Sequence, residues 1–169
     1  GNDALTGGAG TDTAVFDGPR ARFATSLGTD GRFQVRDTSG ALGTDTLLEV
    51  ERLRFSDGVV AIDFGVDASG RDTALLIGSA VGQAALADKA LTAAVIAYFD
   101  TGPSLQQACE LLIVGGTLAG LAGGSSNLAL ATHLYRTVLG ATPDAATAAS
   151  LAAVMDSGQM TQSQFFYAV

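Results

Sequence analysis

The 169 residues contain no tryptophan, one cysteine, one histidine and three prolines, and nine basic residues stand against seventeen acidic ones. A lone Cys109 excludes an internal disulfide and any cysteine-rich zinc site, and a lone His133 excludes a histidine-built metal centre. The net charge of −8 removes the electrostatic basis for binding nucleic acid or an anionic membrane, so cations are the expected partners. The longest nearly uncharged apolar run, Leu111 to Gly124, is shorter than the ~20 residues of a spanning helix. It is also broken by Gly115, Gly116 and Gly120. It reads as buried helix and turn, and no membrane insertion is expected.

Enzyme signatures are equally scarce. No Gly-x-Ser-x-Gly elbow, phosphate loop or dinucleotide fingerprint occurs. Cys109 falls in the apolar stretch Ala108 to Val114, where an inert buried thiol outweighs a nucleophile paired with His133. His133 itself reads as a helix-surface residue. Glu49 and Glu51 flank Arg52 and Arg54 and read as a charged outer face rather than a catalytic carboxylate pair. The expectation is a non-catalytic chain, with no enzyme activity.

What is present divides into two grammars. Up to Asp72 there are twelve acids and seven arginines; beyond it five acids, two bases and much alanine. The expected domains are residues 1–68 and 69–169. In the first, Phe23, Thr25 and Leu27 alternate with polar residues, Asp30-Gly31 supplies a turn, and Phe33 and Val35 return. A second hairpin is expected from Leu53 and Phe55, the turn at Asp57-Gly58, then Val60, Ile62 and Phe64. The apolar parity slips between Val50 and Leu53, which predicts a bulge or a single helical turn there.

The second half has helical spacing, with Leu86, Ala90, Ala94 and Tyr98 on one ridge and Ala131, Leu134, Tyr135 and Val138 on another. Capping boxes at Ser104 to Gln107 and Thr161 to Gln164, and a further start around Thr142 to Asp144, predict about five short helices in a small bundle. Small residues recur four apart at Gly78 and Gly82, and at Gly116, Gly120 and Gly124. Close helix packing is the leading explanation, with a self-association or partner groove as the alternative. The whole reads as α+β, with the β part first.

Residues 7 to 15, Gly-Gly-Ala-Gly-Thr-Asp-Thr-Ala-Val, fit the nonapeptide Gly-Gly-x-Gly-x-Asp-x-U-x, and Gly1 to Thr6 supplies the last two thirds of another copy in phase. Such text suits calcium, because glycines permit tight turns with carbonyls drawn inward and one aspartate per turn supplies charge to a hard, oxygen-seeking cation. These residues resemble the RTX family of secreted bacterial proteins, whose repeats wind into a parallel β-roll with calcium between successive turns. By that resemblance Asp3 and Asp12 would be carboxylate ligands, and Gly1, Gly8 and Gly10 would offer backbone carbonyls. Gly43 to Leu47, Val50 to Leu53 and Phe55 to Gly58 look like the β module that often closes such a roll. Asp37 and Asp45 read as solvated turn aspartates rather than a further cation site.

Within residues 131 to 169, Leu134-Tyr135-Arg136, Val138-Leu139-Gly140 and Pro143-Asp144 resemble a helical module of unknown function found after RTX repeats, similar also to part of the phycobilisome linker domain. Ala141 stands where that module usually has arginine, and its later tryptophan is absent. Beginning at Gly1 inside a repeat, the chain reads as a fragment of something longer; by the resemblance it would be the C-terminal region of a protein exported by a type I route, extracellular or on the cell surface. Its expected function is to bind calcium and so couple folding to export. The alternative is an adhesion, surface-layer or self-association module in which the helical half meets a surface polymer, a protein partner or copies of itself.

Overall fold

A computed structural model describes residues 1–169, which fall into two compact units, Gly1–Gly65 and Val66–Val169. The chain is α+β, with seven strands in the first unit and seven α-helices in the second.

In the first unit β1 (Ala4–Thr6), β5 (Thr44–Leu48), β4 (Phe33–Asp37) and β3 (Phe23–Leu27) form one sheet in that order. β2 (Thr13–Val15), β6 (Arg52–Phe55) and β7 (Gly58–Ala61) form the other. The two local hairpins, β3–β4 and β6–β7, are antiparallel; the first closes around Asp30-Gly31 as expected, and the second closes at Ser56-Asp57, one residue before the expected Asp57-Gly58, because Gly58 already pairs with Phe55. The long-range pairs are parallel: Ala4 stands beside Thr46 in β1–β5, and Thr13 beside Arg52 in β2–β6. One coil of chain, β1–turn–β2, therefore lies on a second, β5–turn–β6. Parallel pairing is confined to these two three-residue ladders, because the chain then turns back into hairpins; a continuing parallel roll is not formed.

The inner faces of both sheets close over Phe16, Phe23, Val35, Leu47, Leu53 and Phe55. Phe16, Phe23 and Phe55 meet one another with ring centroids 5.3 to 5.6 Å apart. Two ion pairs stand at the margin of this core. Asp37, read from the sequence as a solvated turn residue, is only 2% exposed. Its two carboxylate oxygens accept from Nε and Nη2 of Arg22 at 2.9 and 2.8 Å, and from Ser39 and the Leu42 N–H. Arg52 reaches Asp63 at 2.6 Å at another edge.

The helical unit comprises α1 (Ser69–Ala80), α2 (Lys89–Phe99), α3 (Leu105–Val114), α4 (Thr117–Ala122), α5 (Asn127–Leu139), α6 (Ala145–Asp156) and α7 (Gln162–Ala168). α5 packs on α6, α4 and α1, while α3 packs on α7. Leu118, Leu134, Cys109 and Phe166 lie at the centre. Both expected capping boxes form, at Ser104 with Gln107 and at Thr161 with Gln164. Leu86 does not join the ridge of α2. The side chain of Asp88 accepts the N–H groups of Ala90 and Leu91, so the helix starts after it, and Leu86 sits in a separate 3₁₀ turn, Gln83–Ala87. The run from Leu111 is not uniformly buried either: Leu118 is enclosed, but Leu111, Val114 and Leu121 are exposed where α3 ends and Gly116 turns the chain at φ 72°. No helix is long and apolar enough to cross a membrane.

The Arg22 hydrogen bonds, with help from Ser39 and Leu42 and against the effect of burial, hold the Asp37 carboxyl far below the ordinary carboxylate range. A depressed folded value means that this pairing stabilises the β unit fully above the unfolded value of about 4 and is lost as pH falls below it. Urea midpoints should therefore drop steeply between about pH 4 and pH 2 in the wild type and more gently in Asp37→Asn. Parallel slopes would refute the assignment.

Candidate metal centre

The turn between β1 and β2, Gly7 to Asp12, has six residues; the turn beneath it, between β5 and β6, has only three, Glu49 to Glu51. The ladder continues into the start of the long turn, where the N–H of Gly7 donates to Leu48 O at 3.0 Å and that of Gly8 to Glu49 O at 3.2 Å. It resumes at the other end, where Asp12 O accepts from the N–H of Glu51 at 3.2 Å and of Arg52 at 3.0 Å. Residues 8 to 11 therefore overhang Val50. Gly8 and Gly10, both expected to offer carbonyls, lie in this overhang at φ 101° and 112°, angles that admit little but glycine.

Asp12 is the expected ligand that the fold singles out. Its backbone N–H donates to Oε2 of Glu51 at 2.8 Å, while its own Oδ2 is buried without any hydrogen-bond partner. Such an oxygen is costly to bury, by about 1–3 kcal/mol when nothing replaces its water. Gly7 makes the enclosure: a Cβ there would run into the Glu49 carbonyl oxygen and stand 2.6 and 2.9 Å from Cβ and Cγ of Asp12. Glu49 takes up a left-handed φ of 53° to pass beneath. The slip expected between Val50 and Leu53 is this short turn.

Asp3 and Gly1 lie in a different place, at the other end of β1, and both are exposed. The structure does not bring them to Asp12. There, Oδ1 of Asp45 accepts the N–H of Asp3 at 3.0 Å and Oδ1 of Asn2 accepts that of Thr44 at 2.8 Å, so Gly1-Asn2-Asp3 rests on Gly43-Thr44-Asp45 position for position. Asp45 is therefore a bonded residue of the lower coil, not a free turn aspartate.

Sequence reasoning missed Glu51. With Glu49 it reads as part of a charged outer face, whereas both belong to the turn. The available signal was Gly43-x-Asp45-x-Leu47, which repeats Gly1-x-Asp3-x-Leu5 and Gly10-x-Asp12-x-Ala14. Leu53 then follows Leu47 after six residues where Ala14 follows Leu5 after nine.

No cluster of three or more His, Cys, Asp or Glu side chains is gathered to hold a metal. A calcium ion at Asp12 would take backbone carbonyls and water for much of its shell, which is ordinary for this cation. The orphaned oxygen and the glycine-lined cradle fit that use.

In the helical unit, Cys109 is enclosed, and burial, then the nearby Asp72 carboxylate, pushes its thiol up to about 11, so it stays protonated at neutral pH. His133 is half-buried rather than free on the helix surface: its Nε2 lies 2.7 Å from Ala80 O and ties α5 to α1. A groove of about 480 Å³ opens between α1, α3, α5 and α7, lined by Gly78, Ser79, Leu105 and Thr137 among others, with no ionised side chain. Gly78 does not serve close helix packing, since a Cβ there would meet nothing within 4 Å. Gly82 and Gly116 are needed instead for left-handed backbone, at φ 111° and 72°. The chain matches no protein-family model, no curated protein and no solved structure.

Because the obstruction at Gly7 is backbone as well as side chain, Gly7→Ala should push the two turns apart. The expected cost is about 1–3 kcal/mol of β-unit stability, with faster hydrogen exchange at the amides of Gly8 and Glu51. Unchanged exchange would show that the turns are not closely stacked.

Proposed function

We propose that residues 1–65 are the calcium-binding end of an RTX-type secreted protein, with Asp12 as the principal ligand and no catalytic role. The single observation that carries this reading is the buried Oδ2 of Asp12, which no protein group satisfies. A hard divalent cation offsets its burial better than any donor within reach. The stacking of Gly1 to Val15 on the related coil Gly43 to Phe55 supports the resemblance to the repeat family. Calcium is scarce in the cytosol and abundant outside. A site completed only when two distant segments stack would therefore bind ion and folded state together, and stabilise the unit after export.

The helical unit favours a second reading, as a self-association module. Glycine in a helix interior costs about 1 kcal/mol relative to alanine, and Gly78 is not required by packing or by φ. What it does is deepen an uncharged groove.

Calcium chloride added to chelated protein should give a saturable heat and raise the melting temperature of the β unit, and Asp12→Ala should abolish both. Helical circular dichroism should survive chelation, since that unit is held together by apolar packing. A silent calorimetric titration of the wild type would remove the calcium reading. For the second reading, Gly78→Leu should fill the groove, leave the helical spectrum intact and lower the sedimentation coefficient of any self-associated form. A wild type that stays monomeric at all concentrations would remove it.

A further inference from the structure

We propose that Glu51 is the second carboxylate ligand of this site, so that the cation joins the Gly7–Asp12 turn to the Glu49–Glu51 turn. The inference rests on the calcium reading above and specifies what completes it. Thr13 pairs with Arg52 and Ala14 with Leu53, which puts Asp12 level with Glu51 across the parallel ladder. Glu51 therefore stands where a further repeat would have its aspartate. It is one methylene longer, and the turn carrying it is three residues shorter. The extra reach suits a carboxylate that starts further from the overhanging turn.

The surroundings leave the two acids for a common cation. Oε2 of Glu51 already accepts the backbone N–H of Asp12 at 2.8 Å, and Oδ2 of that same Asp12 is buried without a partner. No arginine or lysine forms an ion pair with either acid. Arg52, the nearest base in sequence, donates to the backbone oxygen of Glu51 and sends the same guanidinium to Asp63. A divalent ion bound by both would supply the counter-charge that no base provides. Glu49 is the internal comparison. It lies in the same turn, and its carbonyl is engaged by Gly8, but its side chain makes no hydrogen bond to the long turn.

The test is calorimetric titration of the full chain with calcium chloride, using wild type, Asp12→Asn, Glu51→Gln and Glu49→Gln. Glu51→Gln should weaken calcium binding by about tenfold or more and reduce the calcium-induced rise in melting temperature, while Glu49→Gln should bind as the wild type does. If Asp12→Asn loses calcium but Glu51→Gln keeps it, Glu51 is not a ligand and the calcium reading stands without it. If the wild type takes up no calcium, both fall. A measurement on the unmutated chain covers the case in which Glu51→Gln fails to fold. The side-chain carboxyl carbon resonance of Glu51 should shift on calcium addition and that of Glu49 should not. A shift at Glu49 alone, or at neither, would overturn the assignment.

Discussion

Two stacked turns of unequal length set the terms for the whole β unit. The upper one must travel from β1 to β2 in six residues and the lower one from β5 to β6 in three, while the strands on either side keep parallel register. The difference has to go somewhere. It goes into the overhang of residues 8 to 11, into the left-handed backbone of Glu49, and into a contact at Gly7 too close for any side chain. The enclosure around Asp12 is a product of that mismatch. Turns of equal length would put repeat on repeat; here a carboxylate is walled in at the place where the pattern changes.

Charge is distributed to the same effect. The β unit carries most of the arginines in the chain, yet its well-buried ion pairs, Arg22 with Asp37 and Arg52 with Asp63, hold down the margins of the core. Neither arginine is spent on the long turn. The surplus of acid recorded in the net charge is thus not spread evenly, and part of it stands against the backbone of a glycine-rich loop. The helical unit, with few ionised groups, depends instead on apolar packing around α5 and on hydrogen-bonded caps.

How much of this could be read beforehand followed the range of the interaction. The hairpin at Asp30-Gly31, the hairpin around Asp57 to within one residue, and the caps at Ser104 and Thr161 are decided within four or five residues, and the sequence displays them directly. Asp37 was misread because its partner Arg22 is fifteen residues away and announces itself only when β3 and β4 pair. The start of α2 was misplaced because apolar spacing continued through Leu86, while the side chain of Asp88 fixed the helix end by capping. Of the expected calcium residues, Asp12 could be seen as one member of a motif, but its neighbour Glu51 could not. That proximity exists only through a register between segments 39 residues apart.

The same separation bears on the order in which the chain can fold. Each hairpin closes a short loop and can form as soon as its own residues are available. The parallel ladders join residues 39 and 42 apart, so β1 and β2 can pair with β5 and β6 only after those later strands have been made. In a chain emerging N-terminus first, the glycine-rich segment appears before the strands it pairs with here. The surface that completes these two ladders is supplied by residues that follow it.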